Sequence, residues 1–181
     1  MIEKIPLVDL RAQYETIRRD IDDAIARTLN ETAFIMGRRV TEVETAFAAY
    51  CGASFGIGVS SATCGLHLVL HALGVGAGDE VIVPSHTFIA TAEAVCHCGA
   101  TPVFVDVQED TLTMDPVDLE RMIGPKTRAV IPVHIYGRCA RMNDILTVTK
   151  PRGIPVVEDA AQAHGAVSET GRAGTLATAA V

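Results

Sequence analysis

The sequence contains no tryptophan, and only three of its fifteen basic side chains are lysines: Lys4, Lys126 and Lys150. No apolar run approaches the ~18 residues needed to cross a bilayer, and the first residues form neither a secretory leader nor an Arg-rich presequence, so no membrane partner is expected. Positive charge is scarce: 15 Lys and Arg face 22 Asp and Glu, a formal net charge of −7. Such a surface repels phosphate backbones, which argues against a nucleic-acid partner. Cysteine is also too sparse for a disulfide scaffold; five residues, an odd number, are spread along the chain. That usage fits a reducing compartment, and a cytoplasmic location is expected.

Material for a core is plentiful. Of 181 residues, 49% are apolar, enough for one domain with an additional arm. Apolar positions Leu10, Tyr14, Ile17, Ile21, Ile25 and Leu29 recur at helical spacing, predicting an amphipathic helix. Thr41 with Glu44 has the form of a capping box, predicting a second helix with Val43, Phe47 and Tyr50 turned inward and Gly52 closing it. Beyond Gly52, short β-branched runs alternate with helix-length segments. Strands are expected over Phe55 to Val59, Glu80 to Val83, Pro102 to Val107, Ala129 to Val133 and Ile154 to Glu158. Helices are expected over Thr63 to Leu73, Thr87 to Cys98, from Asp115-Pro116 onward, and Arg141 to Lys150. This alternation predicts an α/β domain with a mostly parallel, doubly wound sheet and helices on both faces. The expected division is a helical arm over residues 1–52 and a larger domain over 53–181.

Ligands of such sheets sit beyond the carboxyl ends of the strands, so the residues following each strand are the functional candidates. Ser60 to Gly65 joins a strand to a helix through small polar residues, which suits either a phosphate facing free helix amides or a plain Ser/Thr cap. It is not a Walker loop, a dinucleotide fingerprint or a nucleophile elbow. Gly74 to Asp79 follows a helix and precedes a strand, the wrong order for phosphate capture, and reads as a helix stop and turn. Cys96 and Cys98 flank His97, but helical residues two apart point about 200° from each other. They are expected to be packed thiols, with no metal site. Asp159 ends a buried strand and needs a donor or cationic partner; it suits a helix cap or the counter-ion of a cofactor's pyridinium nitrogen. Phe88, at a strand-to-helix turn, is either core or a stacking surface for a planar ring. His164 reads as packed rather than catalytic.

These segments together resemble the N-terminal half of the DegT/StrS family of pyridoxal-phosphate-dependent sugar aminotransferases. The likeness runs through Ile5 to Leu10 with Ala12-Gln13-Tyr14, Phe34 to Gly37, Ser60 to Leu66, Gly78 to Ser85, Gly99 to Asp106, Pro132 to Gly137 and Val157 to Gly165. It implies the large domain of a fold type I aminotransferase with pyridoxal 5'-phosphate as cofactor. It further implies a homodimer that moves an amino group from an amino-acid donor, usually glutamate, to a keto-sugar nucleotide, the 3-keto type being the most similar. Under the resemblance, amides near Ala62, Thr63 and Cys64 hold the cofactor phosphate, Cys64 replacing the family's usual small residue. Phe88 stacks on the ring, Asp159 pairs with its protonated nitrogen and Gln162 bonds its hydroxyl. The family's Schiff-base lysine lies on a Ser-Phe-x-x-x-Lys segment past Leu176 that this sequence does not include. The chain is therefore expected to be truncated and inactive alone, without a catalytic residue of its own. A lysine-free cofactor-binding or dimerisation module is the alternative.

Overall fold

The structure, a computed structural model, describes residues 7–181; Lys4 and the Ile5-Pro6 start of the family-like opening lie outside the described residues. Two compact units are present, one up to Val43 and one from Glu44 to Val181.

In the first unit, helix α1 (Leu10–Glu31) is capped by Asp9, whose Oδ1 accepts the Ala12 N–H at 3.0 Å. It has the predicted extent, but no residue of it is buried. Helix α2 (Arg38–Cys51) begins a turn earlier than the capping box predicts, leaving Thr41 inside it. Arg38 and Arg39 both reach Glu42, at 2.5 and 2.8 Å, and these i,i+4 and i,i+3 pairs favour helical backbone ahead of Thr41. Val43, Phe47 and Tyr50 are exposed rather than turned inward. Phe47 instead stacks on Tyr50 and meets His164 edge-on, while the Arg172 guanidinium lies over the Tyr50 ring. The close of the helix is as predicted: Gly52 has φ +83° and donates to Ala48 O.

The second unit is built on parallel strands β1 (Glu80–Pro84), β2 (Thr101–Val105) and β3 (Thr127–Val130), ordered β2-β1-β3. Single bridges from Val130 to Val156 and from Val133 to Asp159 extend the sheet to β4 (Val157–Glu158). After a short antiparallel hairpin of β5 (Val167–Ser168) and β6 (Gly171–Arg172), β7 (Ala179–Ala180) pairs parallel with β4. The helices are α3 (Ala62–Ala72), α4 (Ala90–His97), α5 (Pro116–Met122) and α6 (Met142–Thr149).

Period-two burial explains why helices cover both faces. Val81, Val83, Ala129, Ile131 and Val157 pack with Leu66 and Leu70 of α3 and Val95 of α4. The alternate residues Ile82, Val105, Val130 and Val156 pack with Leu119 of α5 and Met142 and Ile145 of α6. A strand buried on both faces must be apolar at every position, which is how these runs read in the sequence. Four of the five predicted strands exist. Phe55 to Val59 is irregular: Phe55 and Ile57 are 86% and 82% exposed, no described strand lies alongside, and the Gly58 N–H donates to Glu44 Oε1. β-branched residues favour extended backbone, but a strand needs a partner ladder to bury them. The predicted helix from Thr87 starts only at Ala90, because Thr87 to Ile89 form the strand-to-helix turn.

Candidate active site

The order β2-β1-β3 puts a topological switch between β1 and β3, where connections leave the strands in opposite directions, and ligands of open α/β sheets bind at the carboxyl ends beside such a point. Asp159 comes to this edge just after β4 and is 6% exposed. Its Oδ2 accepts from the fully buried hydroxyl of Thr91, at 2.8 Å, and its Oδ1 from the Ala161 N–H. Thr91 has one hydroxyl proton, which Asp159 takes, so the 2.9 Å contact with Thr87 is donated by Thr87. The Thr91 N–H also donates to Phe88 O. This chain of bonds ties the Phe88 turn to Asp159, and the Phe88 ring is left 66% exposed.

The first turn of α3 reaches the same edge through the chain's last residues. Ser61 caps the helix by accepting the Cys64 N–H at 3.2 Å, while the amides of Ala62 and Thr63 precede any intrahelical acceptor. A Cβ on Gly65 would lie 2.7 Å from Val181 Cγ1, so this turn packs directly on Val181. The Val181 N–H donates to Glu158 O, and its carbonyl accepts from Ala160. Gln162 is exposed beside Asp159, and its Oε1 accepts the Tyr136 N–H at 3.1 Å. That fixes the amide's orientation and leaves its NH2 free to donate outward. All the candidate residues, Ala62, Thr63, Cys64, Phe88, Asp159 and Gln162, thus belong to segments linked around one sheet edge.

Other sequence candidates stand apart. Cys98 packs against the core beside α3 with burial raising its thiol pKa, whereas Cys96 is exposed; no group of three or more potential metal ligands occurs among the described residues. His164 is exposed, with Phe47 edge-on to its ring. Lys126 precedes β3 and its carbonyl accepts the Glu80 N–H, while Lys150 precedes β4. Both lie toward the amino ends of the strands, opposite Asp159.

Sequence reasoning passed over Thr91 and the pair His134 and Glu158. Thr91 carries the single hydroxyl of α4, a helix otherwise rich in alanine, which is a usable signal. His134 and Glu158 are both 0% exposed and joined at 2.9 Å. The Ala140 N–H donates to His134 Nδ1, so the ring proton is on Nε2 and is donated to Glu158. Burial pushes the Glu158 carboxyl pKa upward, but hydrogen bonds from His134, Gly174 and Leu176 outweigh it and hold it below the usual carboxylate range.

A family model described as the DegT/DnrJ/EryC1/StrS aminotransferase family matches residues 15–181. The chain belongs to this family. Among family relatives, it is 48% identical over 163 residues to the dTDP-3-amino-3,4,6-trideoxy-alpha-D-glucose transaminase of Streptomyces venezuelae, covering 90% of this chain and 43% of that protein. It is 44% identical to the UDP-2-acetamido-2-deoxy-3-oxo-D-glucuronate aminotransferase of Pseudomonas aeruginosa, covering 97% and 49%. The chain spans about half the length of the curated relatives it matches. The crystal structure of Streptomyces venezuelae DesV in complex with a ketimine intermediate superposes with a TM-score of 0.92 at 47% identity, covering 94% of this chain and 46% of that one. A Streptococcus pneumoniae protein in its PLP-form has a TM-score of 0.81 at 34% identity, covering 84% and 43%. The family domain therefore has the α/β fold of a type I aminotransferase large domain, as the sequence predicts.

Proposed function

We propose that this chain is the cofactor-binding portion of a pyridoxal-phosphate-dependent aminotransferase that acts on a nucleotide-linked keto-sugar, with an amino acid such as glutamate as donor. The observation that carries the reading is Asp159, a carboxylate nine-tenths buried at the switch-point edge and tied through Thr91 to the turn that carries the exposed Phe88 ring. The residues present fit the cofactor. Two unpartnered amides at the start of α3 suit a phosphate dianion, and Phe88 offers a flat face. Asp159 has a donor on each oxygen, and each oxygen keeps a lone pair with which to accept from a protonated pyridine nitrogen. Gln162, its Oε1 engaged by the Tyr136 N–H, keeps its NH2 to donate to a ring oxygen.

When bound, pyridoxal phosphate supplies an electron sink for amino-group transfer. In this reading the amides of Ala62, Thr63 and Cys64 would hold the phosphate, Phe88 would stack on a face of the ring, Asp159 would accept the proton of the ring nitrogen and Gln162 would donate to the ring oxygen. Residues 1–52 act as a helical arm and 53–181 as part of the large domain, in a cytoplasmic homodimer. Relatives named for 3-amino and 3-oxo sugars support a 3-keto sugar nucleotide. A second reading, a binding module without lysine chemistry of its own, is supported by the position of Lys126 and Lys150 at the opposite edge.

Calorimetric titration of the chain with pyridoxamine 5'-phosphate tests the proposal. Saturable binding that weakens about tenfold or more in Asp159→Asn is expected, since a buried charge-assisted contact is lost. Absence of saturable binding by the folded chain would overturn it. Sedimentation equilibrium tests the dimer.

A further inference from the structure

The two carboxylates at the end of β4 point to opposite faces of the sheet, and only one of them has a role in the proposed function. Asp159 joins Thr91 of α4. Glu158, on the α6 side and wholly buried, accepts four N–H donors. Oε2 takes His134 Nε2 and the Gly174 amide, each at 2.9 Å; Oε1 takes the amides of Leu176 and Ala177 at 2.7 and 2.9 Å. A carboxylate surrounded only by donors cannot be replaced by a neutral amide without setting NH2 against N–H. His134 cannot relieve the conflict by shifting its proton, because Nδ1 is committed to the Ala140 N–H.

His134 also acts through its backbone. Its N–H donates to Asp159 O, while the Asp159 N–H donates to Pro132 O, both at 2.9 Å. Its side chain closes the loop from Ile135 to Ala140. Within that loop Tyr136 stands in the left-handed region, at φ 56°, a conformation that costs a non-glycine residue energy unless its surroundings hold it. Tyr136 in that conformation presents its N–H to Gln162 Oε1.

We propose that Glu158, through His134, is the positioning residue of the cofactor edge: it holds the 134–140 loop so that Tyr136 orients the Gln162 amide and β4 presents Asp159. This deepens the proposed function and rests on it for the identity of the ligand. The donors converge on the Glu158 carboxylate from two separate segments, the β3–α6 loop and the 174–177 turn. One ionised group therefore ties together backbone that the sheet ladder alone does not connect.

The test compares the chain with its Glu158→Gln variant by pyridoxamine 5'-phosphate titration and by amide hydrogen exchange. Affinity is expected to fall about ten- to a hundredfold, the range seen when a group that orients a ligating residue is removed. Exchange of the Tyr136 amide is expected to accelerate in parallel, while amides in the β1–β2 ladder keep their protection. Binding within twofold of the unaltered chain, with Tyr136 equally protected, overturns the inference. If the unaltered chain binds no pyridoxamine phosphate, the proposed function falls, and the inference is decided by Tyr136 exchange alone. Should the variant not fold, the unaltered chain still decides: His134 must show the Nε2–H tautomer by nitrogen NMR at pH 7, and the amides of Tyr136, Ala140, Gly174 and Leu176 must open in one cooperative step. A proton on Nδ1, or separate openings, overturns the inference.

Discussion

Removing the Thr91 hydroxyl isolates the contact that holds Asp159. Thr91→Val preserves the branched shape at a site with 0% exposure and deletes the 2.8 Å donor to Oδ2. Asp159 is 6% exposed, so water cannot readily replace the missing donor. Hydrogen bonds to charged groups contribute roughly 1.5–3 kcal/mol, and a loss of about 2 kcal/mol is expected. In a chain of this size that lowers Tm by about 4–8 °C. Thr87 loses its acceptor too, but it is only partly buried and can turn to solvent. Urea unfolding followed by circular dichroism measures the change, and the double variant with Asp159→Asn separates charge from packing. Once the carboxylate is neutral, the valine substitution should cost about 1 kcal/mol less, a coupling energy well above the scatter for independent sites. A Thr91→Val effect below about 0.5 kcal/mol, or strict additivity with Asp159→Asn, would refute the claim that this hydroxyl holds the carboxylate.

Three further outcomes are expected. Ser61→Ala removes the side-chain cap of α3 and should cost about 1 kcal/mol in the same unfolding assay; it should also loosen pyridoxamine phosphate, because the amides of the first turn fray. Glu158 titrates lower in the folded chain than its ordinary value of 4.5, so its contribution to stability is complete above about pH 4.5 and is lost as pH falls through the lowered folded value. Urea midpoints measured from pH 6 to pH 3 should therefore fall more steeply for the unaltered chain than for Glu158→Gln. Gly165 has φ +81°, and a Cβ there would collide with the Tyr50 hydroxyl oxygen. Gly165→Ala should destabilise the chain by about 1–2 kcal/mol, since left-handed backbone disfavours any Cβ; the Tyr50→Phe background should recover only the part due to contact.

The strands at Glu80, Pro102 and Ala129 and the Asp115-Pro116 helix start were legible because each depends on local chemistry. Unbroken β-branched runs suit a strand buried on both faces, and a side-chain cap followed by proline suits a helix start. The Val117 N–H indeed donates to Asp115 Oδ1 at 3.0 Å. Phe55 to Val59 has the same local texture but no neighbouring strand among the described residues, and texture alone cannot report a neighbour. The capping box at Thr41 failed for a related reason: pairs from Arg38 and Arg39 to Glu42 extended the helix past a cap that was chemically sound.

At the candidate site the division is similar. An isolated carboxylate after a buried apolar run marked Asp159, small polar residues before a helix marked Ala62 to Cys64, and their order along the chain marked the family. By itself the sequence thus determined the layered α/β architecture and the identity of the groups at one sheet edge, because hydrophobic period and caps act over a few residues. Only the tertiary structure decided which groups hold those residues in place. Thr91 lies 68 positions from Asp159 and His134 lies 24 from Glu158, and the choice of donor for a buried carboxylate is made by packing across the sheet, where water is excluded and sequence distance carries no weight.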